Sequence, residues 1–168
     1  MITIFQKSIR DNKVKKMESS KVGSWVHVEN PNETEIKKLV EEYKLEHGHI
    51  KDALDPFEVP RLEVEGKSTY IFTRLAQEDE GKATTMPFLV VITENATITI
   101  SAKPLPFIKR FIESKIKFTT TQKTKLFLQI FAEINSAYNS QLTLINRQVR
   151  STSVNLEDID NKTVIKFV

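Results

Sequence analysis

Two carboxylates three residues apart, Asp52 and Asp55, are the side chains of this chain best placed to do chemistry. At that spacing they share one face of a short helix, expected from about Ile50 to Leu54 and ending before Pro56. Both fall near that helix's C-terminal end, where negative charge mildly opposes the helix dipole. A hard divalent ion would suit the place, because magnesium takes oxygen ligands and keeps several of its waters. The plainer reading is that Asp55 opens the Asp-Pro turn and Asp52 is simply exposed. Spacing alone favours the plainer one. Pro60-Arg61-Leu62-Glu63 follows. On a strand, Arg61 and Glu63 point one way, as a local ion pair or cross-strand partners, and Val59, Leu62 and Val64 point the other way or into turns.

Other chemistries find no support in the residues. The histidines are His27, His47 and His49, and no Gly-x-Ser-x-Gly elbow accompanies them. His47 and His49 diverge on a helix, and no further ligands stand at zinc-site spacing. The four glycines, at 23, 48, 66 and 81, make no phosphate-cradling loop. Zero cysteines exclude disulfides and thiolate metal sites and fit a reducing compartment.

The elements that must hold Asp52 and Asp55 are legible around them. Ser24–Val28 reads as a strand. Asn30-Pro31 marks a helix start, with Glu33 completing a capping box on Asn30. Ile36, Leu39, Val40 and Tyr43 share one face of that helix, and Gly48 stops it. Beyond the carboxylates, Arg61–Glu65 and Ser68–Ala76 flank Gly66-Lys67, a two-residue hairpin signal. Phe88–Ile92 is an unbroken apolar run, expected as an interior strand buried on both faces. Thr97–Ser101 follows it, and then a helix over 107–116. Ile2 and Ile4 suggest an edge strand, and Lys13–Lys21 a loop or hairpin arm. From Thr124 to Ser151 no Gly or Pro intervenes. Phe127, Phe131, Ile134, Tyr138, Leu142, Ile145 and Val149 form an apolar seam along one long helix that calls for a coiled partner. The chain is expected to break at 155–161 and to begin another helix at 163–168. The fold class is therefore α/β. A mixed sheet is flanked by helices as an αβα sandwich over residues 1–118, and a helical segment over residues 119–168 leads towards a stalk.

Charge is unevenly spread. The 168 residues carry a net charge of +3. Trp25 to Glu65 holds eleven Asp/Glu against five Lys/Arg, and residues 103–125 hold seven Lys/Arg against one acid. The basic stretch reads first as a solvated surface and second as a face towards an anionic membrane. Nucleic acid is not expected, since no aromatic residues interleave with the charges. Met1–Arg10 lacks a signal-peptide core, and no run is long and apolar enough to span a membrane.

The order Trp-Val-x-Val-x-Asn-Pro at 25–31, helix, Asp-x-Leu-Asp at 52–55, Pro-Arg-x-Glu at 60–63, strand pair at 88–101 and long helix resembles the cytoplasmic domain of the CorA magnesium-transporter family. The resemblance covers about Ser24 to Arg150. It implies a regulatory domain of a magnesium or cobalt transporter, with no enzymatic activity, on the cytoplasmic side of the cell membrane. It also implies a stalk and membrane helices beyond Val168, through which five chains assemble around a pore with a Gly-Met-Asn motif. This chain lacks that motif, so it is expected to be a piece of a longer protein. The piece alone is expected to be at most weakly oligomeric. The family's sensor carboxylate maps onto Asp52, its partner lies further down the stalk, and Asp55 stands beside it. Lys51 occupies a position often acidic in the family, which lowers the charge of the site. The soluble domain of a related zinc transporter has the same order of elements. A stand-alone interaction module using the basic helix and the apolar seam is the reading from another class.

Overall fold

In the computed structural model, which describes residues 1–79 and 81–154, one seven-stranded mixed sheet divides two hydrophobic cores. The chain runs β1 (Ile2–Gln6), β2 (Lys15–Met17), β3 (Ser24–Glu29), α1 (Glu33–Tyr43), α2 (His47–Asp52), β4 (Arg61–Glu65), β5 (Ser68–Asp79), β6 (Lys82–Ile92), β7 (Ala96–Ser101), α3 (Ile108–Ile112) and α4 (Lys123–Val154). The sheet order is β2-β1-β3-β7-β6-β5-β4. Its one parallel pairing is β3 with β7, where Val26 faces Ile98. The break expected at 155–161 and the apolar ending at 163–168 lie outside the described residues.

Strand alternation sends successive side chains to opposite faces, so each interior strand feeds both cores. Val26, Leu89, Val91, Ile98 and Ile100 face one core, with Ile36 and Leu39 of α1 and Ile50 of α2. Trp25, Phe88 and Val90 face the other, with Phe107, Phe111, Phe118 and Leu126. This is the helix-flanked mixed sheet that the sequence predicts. Phe88–Ile92 is interior, paired to β5 on one side and β7 on the other. The β5–β6 hairpin runs further than expected, its register continuing to Asp79 opposite Lys82. Pro87 is tolerated because β7 pairs β6 only from Phe88 onward, so the missing N–H breaks no second ladder.

The start of α1 differs from expectation by two residues. Asn32, not Asn30, is the cap: its side chain accepts from Glu35 N at 2.9 Å, and the Glu35 carboxylate accepts from Asn32 N at 3.1 Å. Asn30 is unavailable because its N–H donates to Ser101 O at 2.8 Å and its φ is +42°. The helix also stops earlier than Gly48, at Lys44 in the left-handed region with φ +56°. Gly48 instead lies inside α2.

A close approach makes Gly23 different from the other glycines. Its φ is +81°, and an added Cβ would stand 2.9 Å from Thr121 Cγ2 and 3.1 Å from Thr121 Cα. Gly23→Ala is expected to lower stability by about 1–3 kcal/mol. Gly48→Ala, in a helix with open space around it, is expected to raise it by about 0.5–1 kcal/mol. Urea unfolding midpoints check both, and a shift of the same sign in the two variants would contradict the argument.

The long helix α4 packs by a different stripe from the one its pattern suggests. Leu126, Ile130 and Ile134 are buried in the second core, with Phe127 and Ala137 partly so. The expected seam shares Ile134, and in part Phe127, with this buried stripe. Phe131, Tyr138, Leu142, Ile145 and Val149 are exposed. A one-residue step turns a helix by about 100°, so the stripe through Leu126 faces the sheet while that through Phe127 faces largely outward. No helix among the described residues is long and apolar enough to cross a membrane.

Candidate functional site

The C-terminal end of α2 and the edge strand β4 meet around one guanidinium. Arg61, the first residue of β4, lies over the Phe72 ring, 3.7 Å from its centroid. Its Nη2 donates to Asp52 Oδ2 at 2.6 Å, its Nε to Glu63 and its Nη1 to Glu58. Burial works against the guanidinium's charge, but the hydrogen bonds to Glu63, Asp52 and Glu58 more than offset it and raise the pKa above the ordinary arginine value. The Arg61–Glu63 pair expected on one strand face is present. Leu62 and Val64 alternate with it and are exposed. The inner face of β4 is thus the charged one, because α2 supplies Asp52 there and Phe72 supplies a flat ring for the guanidinium.

Asp52 is the last residue of α2, and its side chain remains 42% exposed. It is paired within its own domain but not buried. Its Oδ1 has no hydrogen-bond partner among the described residues. Asp55 lies past the helix end, exposed, and its Oδ1 accepts from Phe57 N at 2.9 Å in a turn. The helix face predicted to carry both carboxylates therefore ends before Asp55. Lys51 extends away to Glu33 at 3.4 Å. The loop after α2 is pinned by Arg74, whose guanidinium donates to Pro56 O at 3.0 Å and Glu58 O at 2.6 Å. Nothing in the spacing of Arg74 signals this role, since its partners stand 18 and 16 residues back along the chain.

His49, on the helix turn before Asp52, belongs to the same cluster. Its ring packs on Tyr70, with centroids 4.6 Å apart, and on Phe72 at 5.7 Å. Its Nδ1 lies 3.9 Å from Asp52 Oδ2, and its Nε2 lies 3.2 Å from Glu63 Oε2. Among the described residues, His49, Glu63 and Glu65 are the three side chains whose metal-ligating atoms come within 4.8 Å of one another. Residue spacing does not reveal this grouping. Its only linear trace is Glu63 and Glu65 two apart on a strand. Asp52 and Asp55 belong to no such grouping of three or more.

A second polar cluster sits inside the other core. His27 Nδ1 is 2.9 Å from Thr99 Oγ1, and its Nε2 is 2.9 Å from Glu29 Oε1. A carboxylate can only accept, so Nε2 carries the proton and Nδ1 accepts from the Thr99 hydroxyl. That hydroxyl also accepts from Trp25 Nε1 at 3.0 Å. Burial pushes the His27 pKa below the usual histidine value, with Glu29 opposing the shift. Every polar atom of the ring is used, so this cluster is structural. Several residues of the basic 103–125 stretch are also committed. Lys103 pairs with Asp79 at 3.2 Å, Arg110 with Glu133 at 2.6 Å and Lys115 with Glu113 at 2.7 Å.

The fold matches known structures closely. Over 99% of this chain it superposes on the complete CorA magnesium transporter from Methanocaldococcus jannaschii, with a TM-score of 0.81 at 22% identity. It also covers 99% of this chain and 68% of the soluble domain of CorA from the same organism, with a TM-score of 0.79 at 20% identity. The ZntB cytoplasmic domain from Vibrio parahaemolyticus RIMD 2210633 matches over 96% of this chain and 66% of its own, with a TM-score of 0.70 at 14% identity. At these identities the likeness is one of fold. The chain spans about half of the complete transporter, 54%. No curated protein sequence matches it significantly. The family described as CorA-like Mg2+ transporter protein matches residues 20–168, nearly the whole chain, and the chain belongs to that family.

Proposed function

We propose that this chain is the cytoplasmic, cation-sensing part of a CorA-type divalent-cation transporter, with magnesium the leading ion, cobalt and zinc its rivals, and no enzymatic activity. The observation that supports this reading is the placement of Asp52: a half-exposed carboxylate at a helix end, with one oxygen held by Arg61 and the other unbonded among the described residues. A hydrated magnesium fits such a donor, because it binds through one or two carboxylates and keeps its remaining waters. Asp52 would hold the ion, with its second carboxylate supplied by a neighbouring chain. Arg61 keeps the carboxylate pointed outward while Glu58 and Glu63 share the guanidinium's charge. Asp55, engaged in its own turn, adds negative potential nearby rather than a second fixed ligand.

The mechanism is linkage. An ion that binds only the packed arrangement of neighbouring domains stabilises that arrangement by mass action, and its loss releases the domains. In a full-length protein of this family α4 would lead towards a stalk, on which the exposed seam of Tyr138, Leu142, Ile145 and Val149 would pack. Assembly into a pentamer, and attachment to the cell membrane from its cytoplasmic side, would rest on the stalk and membrane helices of such a protein.

Asp52→Asn in the full-length protein is expected to abolish most of the protection that magnesium gives the cytoplasmic domain against limited proteolysis. The fold should change little, because Arg61 retains two carboxylates and a partly exposed pair contributes under about 1 kcal/mol. The 168-residue chain alone is expected to bind magnesium no tighter than about millimolar. Protection by magnesium that survives in the Asp52→Asn protein would sink the sensor reading.

A further inference from the structure

We propose that His49, Glu63 and Glu65 form a site for a borderline divalent transition ion, zinc being the probe, distinct from the carboxylate at Asp52. It stands whether or not the transporter reading does. Glu63 and Glu65 are two apart on β4 and so lie on one face of the strand, the face towards α2. α2 delivers His49 to that face, and a tilted contact with Tyr70 and an edge-on contact with Phe72 hold the imidazole in place. One ligand atom from each residue already lies within 4.8 Å of the other two.

The state of the imidazole nitrogen is the independent observation. His49 Nε2 is buried and has no hydrogen-bond partner, although Glu63 Oε2 is only 3.2 Å away. A buried polar nitrogen without a partner is costly and calls for an explanation such as an ion. The nitrogen and the oxygen are close without forming a hydrogen bond, so both remain available to an ion. The other ring nitrogen faces Asp52 Oδ2 at 3.9 Å. A small approach there completes the carboxylate–histidine–metal arrangement that orients ligating imidazoles.

Charge and softness select the ion. A neutral imidazole with two carboxylates balances a divalent cation, while Arg61 keeps Glu58 and Asp52 as its own counterions. Glu63 divides its oxygens, Oε1 to Arg61 and Oε2 to the ion. Zinc accepts mixed nitrogen and oxygen ligands at about 2.0–2.2 Å, and magnesium is poorly served by an imidazole. The three atoms must close somewhat to reach that geometry. Glu65, which is exposed, can swing in at little cost, and water fills the fourth position.

The test is calorimetric titration of the 168-residue chain with zinc chloride in excess magnesium. One zinc per chain is expected, with magnesium failing to displace it. His49→Ala and Glu65→Gln should each weaken binding at least about tenfold, while His47→Ala leaves it unchanged. The imidazole 15N resonance of Nε2 in His49 should shift on adding zinc. Glu65 is exposed, so Glu65→Gln remains informative even if His49→Ala fails to fold. No binding tighter than about millimolar, unchanged affinity in Glu65→Gln, or loss of binding in His47→Ala would overturn the proposal.

Discussion

Trp25→Ala should cost about 3–5 kcal/mol of folding stability and lower the melting temperature by roughly 6–20 °C. Trp25 is fully buried on the interior strand β3. Its indole meets three phenylalanines, with centroids 5.3 Å from Phe5, 5.4 Å from Phe111 and 5.9 Å from Phe118. Those rings come from β1, α3 and the segment before α4, so one side chain ties three parts of the chain to the sheet. Truncation opens a cavity among rings that cannot close over it. It also removes the Nε1 donor to Thr99, whose hydroxyl orients His27. Trp25→Phe should lose less, because most of the ring volume is kept. Thermal melts followed by circular dichroism check this, since the chain's single tryptophan is the residue removed. A loss below about 1 kcal/mol, the mean for substitutions generally, would mean that the second core is not built around this residue.

The second large effect separates two stripes of one helix. Ile130→Ala should destabilise by about 2–5 kcal/mol, and Ile145→Ala by no more than about 0.5 kcal/mol. Ile130 is fully buried against the sheet, while Ile145 is 36% exposed beyond the body of the domain. Both are isoleucines in α4, so helix propensity cannot account for a difference. Equilibrium urea unfolding of the two variants measures it. Equal losses would show that the seam through Tyr138 and Ile145 is covered in the isolated chain. A clear inequality supports the proposal that this seam is kept for the stalk.

How far the sequence could be read is clearest around the site. The unbroken run Phe88–Ile92 announced an interior strand because a strand with neighbours on both sides and helices on both faces has no solvent side to mark with charge. Gly66-Lys67 announced its hairpin because a two-residue turn needs a positive φ, and Gly66 takes +57°. The capping box of α1 was legible in kind but displaced in position. Two asparagines stand two apart, each followed three residues on by glutamate, and the pattern alone cannot rank them. The hydrogen bond from Asn30 to Ser101, 71 residues away, made the choice.

The sequence by itself determined the local matters: which runs alternate, where α1 is capped in type, that Asp52 ends a short helix, and the ordered motifs that place the chain in its family. These depend on neighbours within a few residues, so spacing carries them. Only the tertiary structure decided which stripe of α4 packs, that Arg61 gathers Asp52, Glu58 and Glu63, and that His49 meets Glu63 and Glu65. Those outcomes join α2 to β4 and α4 to the sheet across loops. A helix with two adjacent apolar stripes is compatible with either face inward until the shape of the opposing sheet selects one.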